Sequence, residues 1–239
     1  MEDLTNNTSQ DISQDTSQEV SQEIKNKPKV LYIYDPMCGW CYGFSKIMTT
    51  IKVKYANYFD FEIYSGGMII GDGVKPAYEM SSYILNAYKR VEQMSGVKFG
   101  DKYLNIFKEG SYILNSETAC IALTAIKEIK PEIAFDFATE IQSAHFKEGQ
   151  SLNAFVTFEN IANKFGINLI DFNNIWTNKA IYNKTFEEFE FVKKLGVRGF
   201  PAVLLLTKGQ YYSVASGFTI FSQLDSVFQS IIENYENIK

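Results

Sequence analysis

From Lys29 onward the chain switches between short apolar runs and longer stretches with helical spacing. "KVLYIYD" (29–35) is dense in β-branched and aromatic residues and predicts a buried strand, ended by Asp35-Pro36. After Cys41, the apolar residues Phe44, Ile47, Met48, Ile51 and Tyr55 recur at helical intervals, so a helix is expected to about Tyr55. "FDFEIYSGG" (59–67) reads as a second strand closed by paired glycines. A right-handed crossover makes these two strands parallel. Near the other end, "PAVLLLT" (201–207), the turn Lys208-Gly209 and "QYYSVAS" (210–216) predict a hairpin. A helix follows, with Ile220, Phe221, Leu224, Val227, Phe228, Ile231 and Ile232 on one face. Between these halves, about 75–195 is almost entirely helical in pattern. Candidate helices are 76–95, 101–109, 115–129, 131–147, 151–165 and 179–195, with turns at Gly96, Gly110, Pro131, Gly149 and Gly166.

The outline is an α/β chain, βαβ then ββα, interrupted by a large all-helical insertion. It divides into a thioredoxin-like domain made of 29–74 and 196–239, an insertion domain at 75–195, and a tail at 1–28. The fold class rests on "DPMCGWCYGF" (35–44). A Cys-x-x-Cys that opens the helix of a βαβ unit is the sequence sign of a thioredoxin-like fold. A zinc ribbon would carry the same spacing in a hairpin knuckle. The placement also carries chemistry. Cys38 falls at the exposed N-terminus of the helix, where unsatisfied N–H groups and the helix dipole favour a thiolate. Cys41 lies one turn inward, placed to attack a mixed disulfide and release the substrate.

Composition narrows the picture further. The 239 residues are 46% apolar, 15% aromatic and 21% charged, a globular balance with room for a sizeable core. A net charge of -5 argues against nucleic-acid partners, which need a basic face. No apolar run reaches 18 residues, so no membrane partner is expected. Three cysteines cannot build a disulfide framework. The opening "MEDLTNNTSQDISQDTSQEVSQEIKNK" repeats "SQD" and "SQE" every four residues and reads as a disordered low-complexity tail. It lacks the basic and apolar regions of an export signal, so a cytoplasmic setting is expected. In that compartment a CxxC is more often catalytic or metal-binding than structural.

With "DPMCGWCYGF", the helical insertion and the late "GVRGFPAV", the chain resembles the DsbA-like thioredoxin family. Within it the sequence is most similar to the FrnE-like branch, described as predicted protein-disulfide isomerases. The resemblance covers about 29–236; "NSETACIAL" (115–123) and "FKEGQSLN" (146–153) add to it. It implies that Cys38 is the attacking thiol and Cys41 the resolving one. It also implies that Pro201 is a cis-proline facing the dithiol, with the backbone of Phe200 presented to an extended substrate segment. Two departures qualify it. Gly39-Trp40 replaces the Pro-His of strongly oxidising DsbA proteins. Strand 29–34 also lacks the carboxylate that thioredoxins use to take a proton from the resolving thiol. Asp35, at the strand's end, is a candidate substitute for that carboxylate, but a turn or capping role is the favoured reading. The expected potential is roughly -200 to -270 mV, between glutaredoxins and thioredoxin.

The remaining chemistry-bearing residues read more plainly. Cys120, among Ala119, Leu123 and Ile126, packs as a small buried hydrophobe. His145 is the only histidine, and a zinc set with Cys38, Cys41 and Cys120 would need four distant ligands to converge, so no metal is expected. Trp40 contributes an apolar rim for substrates. "GGMIIGDG" (66–73) lacks the Lys-Ser/Thr of a phosphate loop. The expected function is thiol–disulfide exchange or isomerisation through the CGWC dithiol. No cofactor is needed; the partners are protein or small-thiol disulfides, with glutathione or a thioredoxin-type protein as reductant. Two alternatives stay open. One is a glutathione-dependent isomerase of small aromatic substrates, although 2-hydroxychromene-2-carboxylate isomerases generally carry serine at the position of Cys38. The other is a non-catalytic DsbA-like adaptor.

Overall fold

In the computed structural model, which describes residues 27–236, the apolar run at 29–34 lies inside a four-stranded sheet. The strands are β1 (Lys29–Tyr34), β2 (Asp60–Ser65), β5 (Ala202–Thr207) and β6 (Gln210–Ser216), in spatial order β2-β1-β5-β6. β1 and β2 are parallel, from Lys29 beside Asp60 to Tyr34 beside Ser65. β5 runs antiparallel to β1, pairing Leu31 with Leu204, and forms the hairpin with β6. Strand geometry sends alternate side chains of β1 to opposite faces. Val30, Tyr32 and Tyr34 enter the large core with Phe44, Met48, Ile51, Leu224 and Phe228. Leu31 and Ile33 enter a smaller one with Val192, Ala202 and Leu204. Both faces of β1 are therefore covered, which is why its sequence is almost continuously apolar.

Helix α1 (Gly39–Tyr55) and the C-terminal α9 (Phe221–Glu236) pack on the first face, where Tyr55 stacks on Phe228 with ring centroids 5.2 Å apart. Helix α8 (Lys179–Lys194) covers the second face, with Val192 buried against β1 and β5. Between β2 and α8 the chain forms α2 (Ser81–Ser95), α3 (Asp101–Glu109), α4 (Glu117–Ile129), α5 (Ala134–Gln142), α6 (Phe155–Lys164) and α7 (Leu169–Trp176). Their apolar faces join the same large core as α1. α2 ends at Gly96, whose φ of 77° is the left-handed turn that glycine adopts without a Cβ penalty.

Three details depart from the sequence reading. Leu169–Trp176 forms a helix where none was expected; its Asn-rich sequence lowers helix propensity, but Asn168 caps it by accepting from the N–H groups of Ile170 and Asp171. The continuous helix expected at 131–147 is a 3₁₀ turn at Pro131–Ile133, then α5, then a π-helical turn at Ser143–Lys147. The insertion also holds a two-residue antiparallel pair, β3 (Lys75–Pro76) with β4 (Ile113–Leu114), in addition to its helices. The tail at 1–28 lies outside the described residues except for Lys27 and Pro28. Among the described residues, no helix is long and apolar enough to cross a membrane.

Candidate active site

The turn from β1 into α1 is held by one carboxylate. Asp35 is fully buried. Its Oδ1 accepts from the Met37 N–H (2.8 Å) and the Ser116 hydroxyl (2.8 Å), and its Oδ2 from the Met68 N–H (2.7 Å). Its backbone carbonyl accepts from the Cys38 N–H (3.1 Å) and from Gln142 Nε2 (3.3 Å). Burial pushes the Asp35 carboxyl above its ordinary value, while those donors pull the other way. The turn role read from the sequence is what the geometry shows, with four segments of chain tied to one residue.

Cys38 is the N-cap of α1. Its sulfur accepts from the Cys41 N–H at 3.4 Å, and its carbonyl receives the Tyr42 N–H at 3.1 Å, the first turn of the helix. An N-cap side chain is where the unsatisfied donors and the positive end of the dipole act on a sulfur. The expected exposure of Cys38 is corrected: only 7% of the residue is accessible. The chain ahead of β5 crosses over it, and the Cys38 thiol donates to the Phe200 carbonyl at 3.5 Å. The Phe200–Pro201 peptide bond is cis. Thus Cys38, Phe200 and Pro201, 162 positions apart for the first two, meet at one end of the sheet.

Cys41 lies one turn further in and is wholly buried. Burial pushes its thiol well above the ordinary value, and the neighbouring Cys38 sulfur adds to that. Both cysteines are free thiols. The half-buried Trp40 packs against Phe218 with ring centroids 5.6 Å apart. The half-buried Phe200 ring lies across Gly66: a Cβ added there would come within 2.0 Å of a ring carbon, so only glycine fits beneath it. Trp40 and Phe200 therefore lie on the segments that flank the dithiol, although their rings have separate packing partners.

The structure adds residues near the sulfurs that the sequence reading did not single out. Tyr103, from α3, is buried and close enough to Cys38 for that sulfur to raise its phenol further, after burial. Tyr32, from β1, bears the same relation to Cys41 and then to Cys38. Gln142 and Ser116 secure Asp35. A signal for Tyr32 was present, since the alternation of β1 puts residues 30, 32 and 34 on one face. Nothing local marks Tyr103, Ser116 or Gln142, which reach the site through tertiary packing.

Cys120 and His145 border this arrangement, through Asp35 and Tyr103 respectively, without joining the dithiol. Cys120 is fully buried within α4, and burial raises its thiol well above the ordinary value. His145 lies in an aromatic cage of Tyr103, Tyr112 and Phe146, its Nδ1 3.1 Å from the Gln150 carbonyl. That contact requires the proton on Nδ1, and burial drives the ring's pKa down to about 4. Among the described residues, no three His, Cys, Asp or Glu side chains are grouped to hold a metal ion.

This fold is shared widely among solved structures. The chain superposes on a candidate protein disulfide isomerase from Nitrosomonas europaea with a TM-score of 0.78 and 24% identity, covering 87% of this chain and 99% of that one. The cytosolic disulfide reductase DsbM from Pseudomonas aeruginosa matches with a TM-score of 0.72 and 21% identity, over 88% and 100% of the two chains. The same enzyme solved with GSH matches at 0.71, with 19% identity over 86% and 99%. A 2-hydroxychromene-2-carboxylate isomerase also matches, at 0.63 with 12% identity over 88% and 99%. No protein-family model matches the sequence, and no curated protein sequence does. The fold defines the class: the chain has the DsbA-like thioredoxin fold.

Proposed function

We propose that this protein is a thiol–disulfide oxidoreductase or isomerase that works through Cys38 and Cys41. One observation carries the reading: the Cys38 thiol caps α1 and faces the Phe200 carbonyl beside a cis-proline, with a second thiol buried directly behind it. Cys38 attacks a substrate disulfide, forming a mixed disulfide and expelling one substrate thiolate. Cys41 then attacks Cys38 Sγ, so that the Cys38–Cys41 bond forms as the second substrate sulfur leaves. In that first bond-exchange the Phe200 carbonyl is the group placed to accept an N–H from an extended substrate segment. The substrates are disulfides of proteins or of small thiols.

The neighbour described as a cytosolic disulfide reductase, solved with GSH, supports glutathione as the small-thiol partner and a reducing cytoplasm as the setting. There the dithiol is the resting state and reduction or isomerisation the direction. The isomerase neighbour favours a second reading, glutathione-dependent isomerisation of a small aromatic substrate, but a complete dithiol is more than that chemistry calls for. The test is reduction of insulin disulfides with glutathione as electron donor, comparing wild type with Cys38→Ser. Turnover lost in the variant supports the reading. An inactive wild-type protein that still captures partner proteins would establish the adaptor alternative instead.

A further inference from the structure

The resolving thiol presents a chemical problem. To attack, Cys41 must part with its proton, yet it is buried and its thiol is held above the ordinary value. No carboxylate lies along β1 beneath it, and the Asp35 carboxylate is engaged by Met37, Met68 and Ser116, leaving the Asp35 backbone N–H as the group of that residue that acts on the Cys41 sulfur to favour its thiolate. The side chain that does face Cys41 from β1 is Tyr32. It shares the strand face with Val30 and Tyr34 and the core with Cys38, Cys41 and Phe44. Its ring lies 5.9 Å from that of Phe44, one helical turn beyond Cys41, and 6.0 Å from Phe135, stacked on its other side. The residue is 3% exposed, and its hydroxyl makes no regular hydrogen bond, lying instead within reach of the Cys41 sulfur. The sulfurs that act on that hydroxyl are Cys41 first and Cys38 second.

A buried hydroxyl without a regular partner is destabilising, since it has given up water and received little in return. Phenylalanine would fill the same space without that cost. We propose that the Tyr32 hydroxyl is the hydrogen-bond donor that stabilises the Cys41 thiolate during resolution of the mixed disulfide. This rests on the dithiol reading above. In the resting dithiol the neutral Cys41 sulfur is a weak acceptor, and the hydroxyl has no other partner among the described residues. When the Cys41 proton passes to the departing substrate sulfur, negative charge collects on Cys41 Sγ and the hydroxyl gains a strong acceptor. The Cys41–Cys38 bond then forms, the bond from Cys38 to the substrate sulfur breaks, and its electron pair leaves with that sulfur. Tyr32 keeps its own proton throughout, because burial holds the phenol well above the pH of the reaction. It is a positioning residue, acting through Cys41. The titratable groups facing this pair are Cys38, Asp35 and Tyr34, and Tyr34 is turned more toward Cys120 than toward the dithiol.

An aromatic disulfide, 5,5′-dithiobis(2-nitrobenzoate), reads the two steps separately on the full chain. Attack by Cys38 releases one coloured thiolate, and resolution by Cys41 releases a second. Tyr32→Phe is expected to leave the first phase unchanged and slow the second roughly ten- to hundredfold, the size of one hydrogen bond to a charged group. The midpoint of the second phase's pH–rate profile should move upward by about one to two pH units. Its melting temperature should be no lower than wild type, and Tyr34→Phe should alter neither phase. A second phase with wild-type rate and pH midpoint in Tyr32→Phe overturns the inference. So does a clearly lower melting temperature, which would make the hydroxyl a structural group, or an equal slowing in Tyr34→Phe. Absence of any first phase in the wild-type protein would instead overturn the dithiol reading itself.

Discussion

Two buried thiol environments in this molecule can be set side by side: the start of α1, with Cys38 and Cys41, and the first turn of α4, with Cys120. Cys41 and Cys120 are both wholly inaccessible, and burial raises both thiols. By burial alone they are indistinguishable. What separates them is the company each sulfur keeps. Cys41 backs onto a second thiol that caps a helix and faces the Phe200 carbonyl. Cys120 lies in the first turn of α4, its backbone N–H bonded to the Ser116 carbonyl at 3.0 Å and its carbonyl accepting the Thr124 hydroxyl at 3.1 Å; its sulfur faces Ser65 and the Gly67 N–H, not a second thiol. The lesson is that burial near a helix start does not by itself make a cysteine a reagent; in the proposed mechanism a partner sulfur and a facing backbone carbonyl do. Inertness is what remains without them.

The sharpest break in this comparison comes from removing each sulfur in turn. Cys38→Ser should abolish disulfide exchange. Cys41→Ser should keep the first attack but fail to resolve, leaving mixed disulfides that non-reducing electrophoresis and mass spectrometry detect. The opposite pattern, with activity in Cys38→Ser and no trapping in Cys41→Ser, would reverse the two roles.

A second substitution tests the company rather than the sulfur. In Gly66→Ala the new methyl group would meet the far edge of the Phe200 ring at 2.0 Å, so the ring must turn away and its hold on the segment carrying the carbonyl is loosened. Exchange should slow about tenfold, the rate penalty of about 1.4 kcal/mol of lost positioning, and stability should fall by about 1–3 kcal/mol. Stopped-flow exchange and denaturant unfolding measure the two effects. Wild-type exchange in a destabilised variant would show that the seating of the Phe200 ring on Gly66 is dispensable for exchange.

Acid should act on the dithiol side of the molecule through His145, which shares the Tyr103 cage near Cys38. Its folded pKa of about 4 lies below the unfolded value of 6.5, so the unfolded chain binds the proton first. The stability this group contributes is present above pH 6.5 and is lost as pH falls toward 4. The loss should approach about 3 kcal/mol. Asp35 acts in the opposite sense: its raised carboxyl favours the folded state at low pH and loses that contribution as pH rises through the folded value. Comparing wild type with His145→Gln isolates the histidine: the variant's unfolding free energy should lack this slope between pH 4 and 6.5.

The smallest effect is expected at Cys120. Cys120→Ala should leave turnover unchanged and cost about 1 kcal/mol of packing. Enzyme assay and thermal melting check it, and a large loss of turnover would place a second redox centre in α4.

Much of this arrangement was written locally. β1 was legible because both of its faces are buried, so its apolar run is unbroken. α1 was legible because its apolar residues return at helical intervals directly after a Cys-x-x-Cys. Those two neighbouring signals together specify a strand that feeds a helix with a sulfur at its N-terminus, and no distant residue is needed to read them. The hairpin of β5 and β6 was equally local, with Lys208-Gly209 between two β-rich runs. α7 was not, because its Asn-rich sequence has weak propensity and its stability comes from Phe172 buried in the shared core.

What local pattern could not decide is everything that depends on segments remote in sequence meeting in space. The Phe200 carbonyl over Cys38 depends on the two halves of the sheet meeting, the Met68 contact to Asp35 on β2 lying beside β1, and the Ser116 and Gln142 contacts on how the insertion docks against them. The pairing of Tyr32 with Cys41 is likewise a tertiary contact. The alternation of β1 assigns Tyr32 a face, but only the seating of α1 on that face brings a sulfur to its hydroxyl. Spacing along the chain determines which residues can share a surface. Which surfaces meet is settled by the packing of the whole core, because only there do the apolar faces of separate elements find one another.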